Sequence, residues 1–404
     1  MNYDVIIVGA GPAGSTAAIT LAQKNYNVLL LDRQDFPRPK TCGDGIPPSS
    51  MQVLYDLGMT AEVEQANFYP IHGIKFRLPG GRIINTRFQS KQPGVDFFIA
   101  PRDQFDFMLQ QKAIQSGATF QVANVNSPIM TGNKISGVNA TVGKEQIKFT
   151  APVVIGADGC TSVISRALQK PKLPLHQRAI AIRGYLDGLS FLPNTVEFYW
   201  LKKLLPGYAW VFPINHASVN IGLTVRADLY RSNNWDLKKL LSGFMNVIEQ
   251  EGRLSPEFKI SRIASWPLHL AVSGNQQLIF DGALLIGDAA AFIDPFIGEG
   301  IHNALISAQI AGDVIDEGFQ KGDLSIHQLK QYDQLCREKF GSVFRRSLLL
   351  QKAMLYTPGL LDGLAWIVDR KKSFWSPLFS RYSDNFHFEI AESPIRMVFE
   401  EIKS

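Results

Sequence analysis

Three cysteines in a chain of 404 residues, Cys42, Cys160 and Cys336, are too few and too scattered for a disulfide framework or a cysteine-rich metal site. Histidine offers no metal site either: His72, His176, His216, His269, His302, His327 and His387 include no HExxH or comparable ligand spacing. Net charge is also scarce. Against 41 Lys and Arg stand 36 Asp and Glu, mostly interspersed, which argues against a dedicated nucleic-acid binder. No uninterrupted apolar stretch is long enough to span a bilayer, and no charged leader precedes MNYDVIIVGA, so neither a signal nor a transit peptide is expected. No internal repeat is evident. These absences leave a cytoplasmic globular protein, 46% hydrophobic and long enough for two or three domains.

The opening residues carry the strongest signal. Asp4 to Val8 reads as a buried parallel strand, followed by Gly9, Gly11 and Gly14 in the spacing G-x-G-x-x-G. An Ala-containing helix then runs from Ala13 to Lys24, and a second strand from Asn27 to Leu31 ends at Asp32. The first glycine allows a tight turn, the second lets backbone approach a pyrophosphate, and the third lets helix and strand pack closely. N–H groups at the helix N-terminus receive the phosphate charge, with Pro12 and Ala13 as the cofactor-binding positions that open the helix. Asp32, with Arg33 beside it, is placed to bind ribose hydroxyls, and its charge disfavours a 2′-phosphate. The site therefore suits FAD or NAD rather than NADP; the competing reading is a plain packing turn.

Two later segments bear on that choice. PVVIGADGCTSVISR, from Pro152 to Arg166, gives a strand, then Asp158 and Gly159, then a helix. ALLIGDAAAFIDPFIGEGIHNA gives a strand ending near Gly287 and Asp288, a loop with Pro295, Gly298 and Gly300, and a helix beginning near Gly300, with Ile301 beside it. A second helix N-terminus fed by glycines can face another electron-rich part of a long cofactor. Singly, each has an alternative: Asp158 as a helix cap, Asp288 as a turn residue. His302 is the histidine best placed to approach the cofactor.

Taken together, these motifs resemble the p-hydroxybenzoate-hydroxylase-type superfamily of FAD proteins across residues 1 to 316, about three quarters of the chain. The resemblance implies that Asp158 belongs to a middle cofactor motif, that Asp288 contacts the ribityl chain, and that Pro295 to Gly300 lies by the isoalloxazine. Arg102, in PRDQFDFML, matches an arginine that opens a helix and touches FAD; a surface arginine is the alternative. The expected fold is α/β: a Rossmann-type FAD-binding domain, an interleaved antiparallel substrate sheet and a helical C-terminal region. The FAD-binding parts are residues 1–174, with a small β excursion at 119–150, and 276–320. The sheet takes 175–275, where strand-like runs follow one another without evident helices, and the helical region 321–404.

A finer resemblance rests on PRPKTCGDG, from Pro37 to Gly45, and GYAWVFP, from Gly207 to Pro213. Both are similar to the geranylgeranyl reductase family, which saturates isoprenoid double bonds with reduced flavin. Carried over, Cys42 and Gly43 lie near the reaction centre, while Tyr208, Trp210, Phe212 and Pro213 line a lipid cavity. This chain has Asp44 where relatives often continue with glycine. The alternation of Tyr208, Trp210 and Phe212 itself puts three rings on one strand face, as a prenyl wall or an ordinary core would. Cys42 is read as a proton donor, with a bound water as its competitor for that task and a buried spacer as the alternative role. NADPH or ferredoxin is the expected electron donor. An aromatic monooxygenase or halogenase is the nearest rival, and a non-catalytic lipid-binding flavoprotein the more distant one. In the tail, the apolar run SLLLQKAMLYTPGLLDGLAWIV is flanked by Arg345, Arg346, Arg370, Lys371 and Lys372. It reads as a cover on the core or a peripheral contact with an anionic membrane.

Overall fold

The computed structural model describes residues 2–90, 96–168, 173–271, 277–357, 359, 362–363 and 386–390. Its first layer is a six-stranded sheet in the order Ile279–Phe280, Ala283–Leu285, Val153–Gly156, Val5–Val8, Val28–Asp32, Thr119–Val122. The last five strands are parallel, and Val5–Val8 sits between Val153–Gly156 and Val28–Asp32. All residues of these two inner strands and of Val28–Asp32 are buried, the pattern of strands covered on both faces. Helices Pro12–Ala22, Arg102–Gln115 and Ile301–Lys321 provide one cover. Ten of the eleven residues of Pro12–Ala22 are buried, because alanines and Gly14 let its neighbours approach on every side. The small β excursion is a separate sheet of Asn124–Thr131, Lys134–Val142 and Glu145–Thr150.

The second large sheet has eight strands, in the order Leu254–His269, Arg178–Leu189, Ser218–Arg226, Ala209–Pro213, Thr195–Tyr199, Gly73–Arg77, Ile83–Ser90, Phe386–Ile390. It is antiparallel except at one seam, where Thr195–Tyr199 runs parallel to Gly73–Arg77. Residues 73–90 are therefore hydrogen-bonded into this sheet although they precede its other long strands by about a hundred positions. The expectation of strands without helices in this region is corrected: helices Ala227–Ser232 and Leu237–Gln250 interrupt it. Asp236 caps the second of these by accepting the Lys238 and Lys239 N–H groups, and Leu240, Leu241, Phe244 and Ile248 give it a buried stripe.

One helix, Ile326–Tyr356, follows the cofactor domain and packs through Leu329, Tyr332, Cys336, Phe340 and Phe344 into the main core. It ends at Tyr356, with Thr357 as its C-cap; the sequence leads one to expect helices from about residue 325 with a break between Pro358 and Gly363. The second half of the apolar tail and its flanking Arg370, Lys371 and Lys372 lie outside the described residues. Among the described residues, no helix is long and apolar enough to cross a membrane.

Candidate functional site

The opening strand ends at Gly9, whose φ of +103° turns the chain; a Cβ there would lie 2.4 Å from the Ala157 carbonyl oxygen. Gly14 is tighter still, since its Cβ would fall 1.7 Å from the Gly9 carbonyl oxygen. Helix and strand thus touch backbone to backbone. Gly11 is different: its missing Cβ meets nothing nearer than the Arg38 Nη2 at 3.6 Å, and it borders a large cavity. The Pro12–Ala22 helix has no side-chain cap at Gly11, so its first-turn N–H groups are left for an anion. Asp32 braces the same turn. Its Oδ2 accepts from the Ala10 N–H at 2.9 Å and from Arg38 at 3.3 Å, while Oδ1 accepts the Gln34 N–H at 3.0 Å.

Asp158 and Gly159 line the same cavity; Asp158 accepts the Val163 N–H at 2.6 Å, while Ser162 caps the helix Val163–Ala167 by accepting the Ser165 N–H at 2.9 Å. Asp288 borders the cavity with one carboxylate oxygen 3.4 Å from where a Gly300 Cβ would stand. The loop from Asp294 to Gly300 is held from within and from outside. Asp294 accepts the Phe296 and Ile297 N–H groups at 2.8 and 3.0 Å, and the Ser347 hydroxyl at 2.7 Å. Gln351, one turn further along the long C-terminal helix, donates to the Pro295 carbonyl at 2.5 Å. At the N-terminus of Ile301–Lys321, the Glu299 carboxylate accepts the His302 N–H at 2.6 Å. This second helix end, expected to face the cofactor, therefore already carries an acid.

Arg102 is buried, not a surface arginine, and grips Asp106 through two bonds of 2.6 and 2.9 Å. It also faces the Cys42 sulfur. Burial pushes the Cys42 thiol up; the Arg102 cation opposes that shift and Asp44 adds to it. Lys40, in the same loop, lies with its ammonium 4.1 Å from the centre of the Trp266 ring. Burial pulls Lys40 down, with Asp288 opposing.

Beyond Cys42 the lining becomes aromatic. A Cβ on Gly43 would stand 3.1 Å from the Phe212 ring and 3.6 Å from the Trp210 Nε1, so the Cys-Gly segment lies directly on the expected wall. Tyr208, Trp210 and Phe212 all line the cavity, and the Tyr208 hydroxyl donates to the Ile297 carbonyl of the glycine loop. Further rings extend the wall. Phe76 stacks on Trp200 with centroids 5.3 Å apart, Trp200 on Phe296 at 6.1 Å, and Phe198 meets Phe212 edge-on at 5.1 Å. Phe198 and Trp200 had a legible signal, two-residue alternation in VEFYW, whereas Phe76 arrives only through the parallel seam.

A single cavity of about 2160 Å³ joins these parts, lined by Gly11 and Asp32 at one end and by Phe76 and Trp200 at the other. Arg33 and Ile301 also line it. Three expected site residues do not. Gly14 and Gly287 serve close packing, since a Cβ on the second would stand 2.9 Å from the Ala13 methyl, and Pro213 is buried in the sheet opposite Val219. Arg38, Lys40 and the additional rings line the cavity beside the expected residues. Among the described residues, no group of three His, Cys, Asp or Glu side chains converges as a metal site would require.

The FAD binding domain family matches residues 2–345. A digeranylgeranylglycerophospholipid reductase of Methanothrix thermoacetophila is 31% identical over 365 residues, covering 87% of each chain. A menaquinone reductase of Mycolicibacterium smegmatis is 31% identical over 324 residues, 78% of this chain and 76% of that one. Among solved structures, a geranylgeranyl bacteriochlorophyll reductase-like protein of Thermoplasma acidophilum superposes with a TM-score of 0.81 at 26% identity, covering 90% of both chains.

Proposed function

Since the chain belongs to the FAD binding domain family and, within it, to the geranylgeranyl-reductase-like oxidoreductases, we propose that it saturates C=C bonds of an isoprenoid chain. One observation carries the reading: the Cys42–Gly43 segment lies between the phosphate-cradling end of the cavity and a wall of seven aromatic side chains, Phe76, Phe198, Trp200, Tyr208, Trp210, Phe212 and Phe296. Such a surface suits a long apolar substrate and offers a prenyl chain few polar partners. The residues fit FAD. Gly11 leaves room where a pyrophosphate would lie, Asp32 at the same end of the cavity would meet the ribose, and Asp288 with the 294–300 loop lines the cavity as well.

When bound and reduced, the flavin supplies a hydride to one alkene carbon; a proton must reach the other, so the two additions balance the saturated product. An unactivated alkene gives little electronic help, which leaves placement, water exclusion and a nearby acid to the protein. Cys42 is the acid we assign. Its thiol holds its proton through burial, and the adjacent Arg102 cation stabilises the thiolate left after transfer. The aromatic wall holds the chain, and the Asp294 network fixes the loop that would lie by the flavin ring. Leu349 lines the cavity yet is 66% exposed, so this face of the long helix is where an apolar chain would enter from a peripheral lipid surface. NADPH or ferredoxin would reduce the flavin by transient docking.

The test is anaerobic. Dithionite-reduced holoprotein is mixed with a geranylgeranylated phospholipid, and flavin reoxidation and product mass are followed together. Reoxidation with a gain of two hydrogens per cycle is expected, and Cys42→Ala should slow it by about 100-fold without loss of FAD. The menaquinone reductase relative favours a second carrier, a quinone, so a prenylated quinone is run in parallel. A flavin that stays reduced with every prenyl substrate, yet oxygenates or halogenates an aromatic compound in air, overturns the reading.

A further inference from the structure

The loop that carries Cys42 holds a second acid. Asp44 has a left-handed backbone, φ +64°, which a non-glycine residue adopts only against steric resistance, and its side chain is fully buried. The Tyr185 hydroxyl and the Asn220 amide both donate to its Oδ2, each at 2.8 Å. Its Oδ1 is buried and, among the described residues, has no hydrogen-bond partner. A carboxylate with one bare oxygen is costly in such surroundings, and a proton on that oxygen relieves the cost. Burial accordingly pushes the Asp44 carboxyl up to about 6, against the opposing pull of Asn220, Tyr185, Arg183 and Arg102.

The same cluster reaches both halves of the site. The Asn220 amide nitrogen also donates to the Cys42 carbonyl at 2.7 Å, and its oxygen accepts the Trp210 indole N–H at 2.9 Å. Tyr185 is only partly buried, so one member of the cluster touches solvent. Charged groups also face the cluster. The Arg183 guanidinium lies 4.3 Å from the centre of the Tyr185 ring and that of Arg262 5.9 Å, Arg262 pairs with Asp103, and Arg102 comes from the neighbouring helix. Two residues away, an ionised Asp44 makes Cys42 hold its proton more tightly.

We propose that Asp44 is the positioning residue that sets the acid strength of Cys42: neutral, it leaves the thiol free to protonate substrate, and ionised, it holds that proton back. The proposal rests on the prenyl-reductase reading and adds a pH response to it. Cys42 remains the group that meets substrate, and Asp44 acts through it.

Two measurements test this. The first is single-turnover reoxidation of reduced holoenzyme by the geranylgeranylated phospholipid from pH 5 to 9. The wild-type rate is expected to fall by up to about tenfold per pH unit above the Asp44 transition. Asp44→Asn should lose that limb and exceed the wild type at pH 8 with the same FAD content, and Tyr185→Phe, which removes one donor to the carboxylate, should move the limb to higher pH. The second measurement needs no substrate: Cys42 alkylation by iodoacetamide, followed by peptide mass, should begin at lower pH in Asp44→Asn than in the wild type. A limb that persists unaltered in both variants, or an alkylation profile that Asp44→Asn leaves unchanged, overturns the proposal. A wild type that no prenyl substrate reoxidises at any pH sinks the reductase reading instead, and the alkylation profile still decides the role of Asp44.

Discussion

Gly11 and Gly14 lie three residues apart in one motif, yet the structure assigns them different tasks, and alanine at each should separate the two. At Gly14 the new Cβ would stand 1.7 Å from the Gly9 carbonyl oxygen, about half an ordinary contact distance. Both partners are backbone, so no side-chain rotation relieves the clash, and the helix must move off the strand. Overpacking of this kind costs about 1–3 kcal/mol at the least, and the Pro12–Ala22 helix is almost wholly buried, so the cost falls on the folded core. At Gly11 the nearest atom is 3.6 Å away and φ is −72°, which alanine accepts. Losing glycine flexibility in the unfolded chain roughly offsets the poorer cap, so apoprotein stability should stay within about 1 kcal/mol of wild type. The methyl group would, however, project into the cavity where a pyrophosphate is expected. A steric conflict of about 1–3 kcal/mol corresponds to a loss of roughly 5- to 150-fold in FAD affinity. Thermal unfolding of the apoproteins and flavin-fluorescence titration read the two quantities separately. Gly14→Ala should lower Tm and Gly11→Ala should raise Kd alone. A Gly11→Ala protein that binds FAD like the wild type would refute the placement of the phosphates over Gly11.

Three other perturbations follow from the bonding. Trp210→Phe removes the indole donor to the buried Asn220 oxygen and should cost about 1–3 kcal/mol in denaturant unfolding; an unchanged midpoint would mean that the indole bond contributes nothing net. Glu197 is fully buried: burial raises its carboxyl, but Arg253 and Lys75 outweigh this and hold it below the usual carboxylate range. Its folded value is depressed, so its stabilisation is complete above the unfolded value of about 4.3 and lost as pH falls through the folded one. Glu197→Gln should therefore cost on the order of 3 kcal/mol at pH 7 and converge with wild type in acid, and an equal gap at pH 3 and pH 7 would contradict this sign. Ser347→Ala deletes the bond from the long helix to Asp294 and should speed FAD release in stopped-flow exchange; an unaltered release rate would show that the helix does not brace the loop.

The glycine opening and the ring alternation were readable because each is local. G-x-G-x-x-G fixes a turn within a few residues, and a period of two fixes which face Tyr208, Trp210 and Phe212 share. Helix Leu237–Gln250 was readable too, through its Asp236 cap and apolar spacing, but strand-rich surroundings obscured it. The contribution of Phe76 was not readable, since it depends on the register Phe76 with Phe198 across the parallel seam. Nor was the Asp44 cluster. Its members Cys42, Asp44, Tyr185 and Asn220 meet only after the loop and the sheet come together, and no spacing in sequence encodes a hydrogen bond across 176 positions.

The interleaving of the two sheets governs how this chain is made as well as what it holds. Val5–Val8 emerges from the ribosome long before Val153–Gly156, its neighbour on one side, and that strand in turn waits for Ala283–Leu285. Gly73–Arg77 is likewise stranded until Thr195–Tyr199 has been synthesised. Neither sheet can close during synthesis of the first half, so a nascent chain stopped near residue 174 presents apolar strand edges with no partner, the species most prone to aggregate and to recruit chaperones. The cofactor sheet is in that sense completed late, only when the third of its three segments, Ala283–Leu285, has been synthesised.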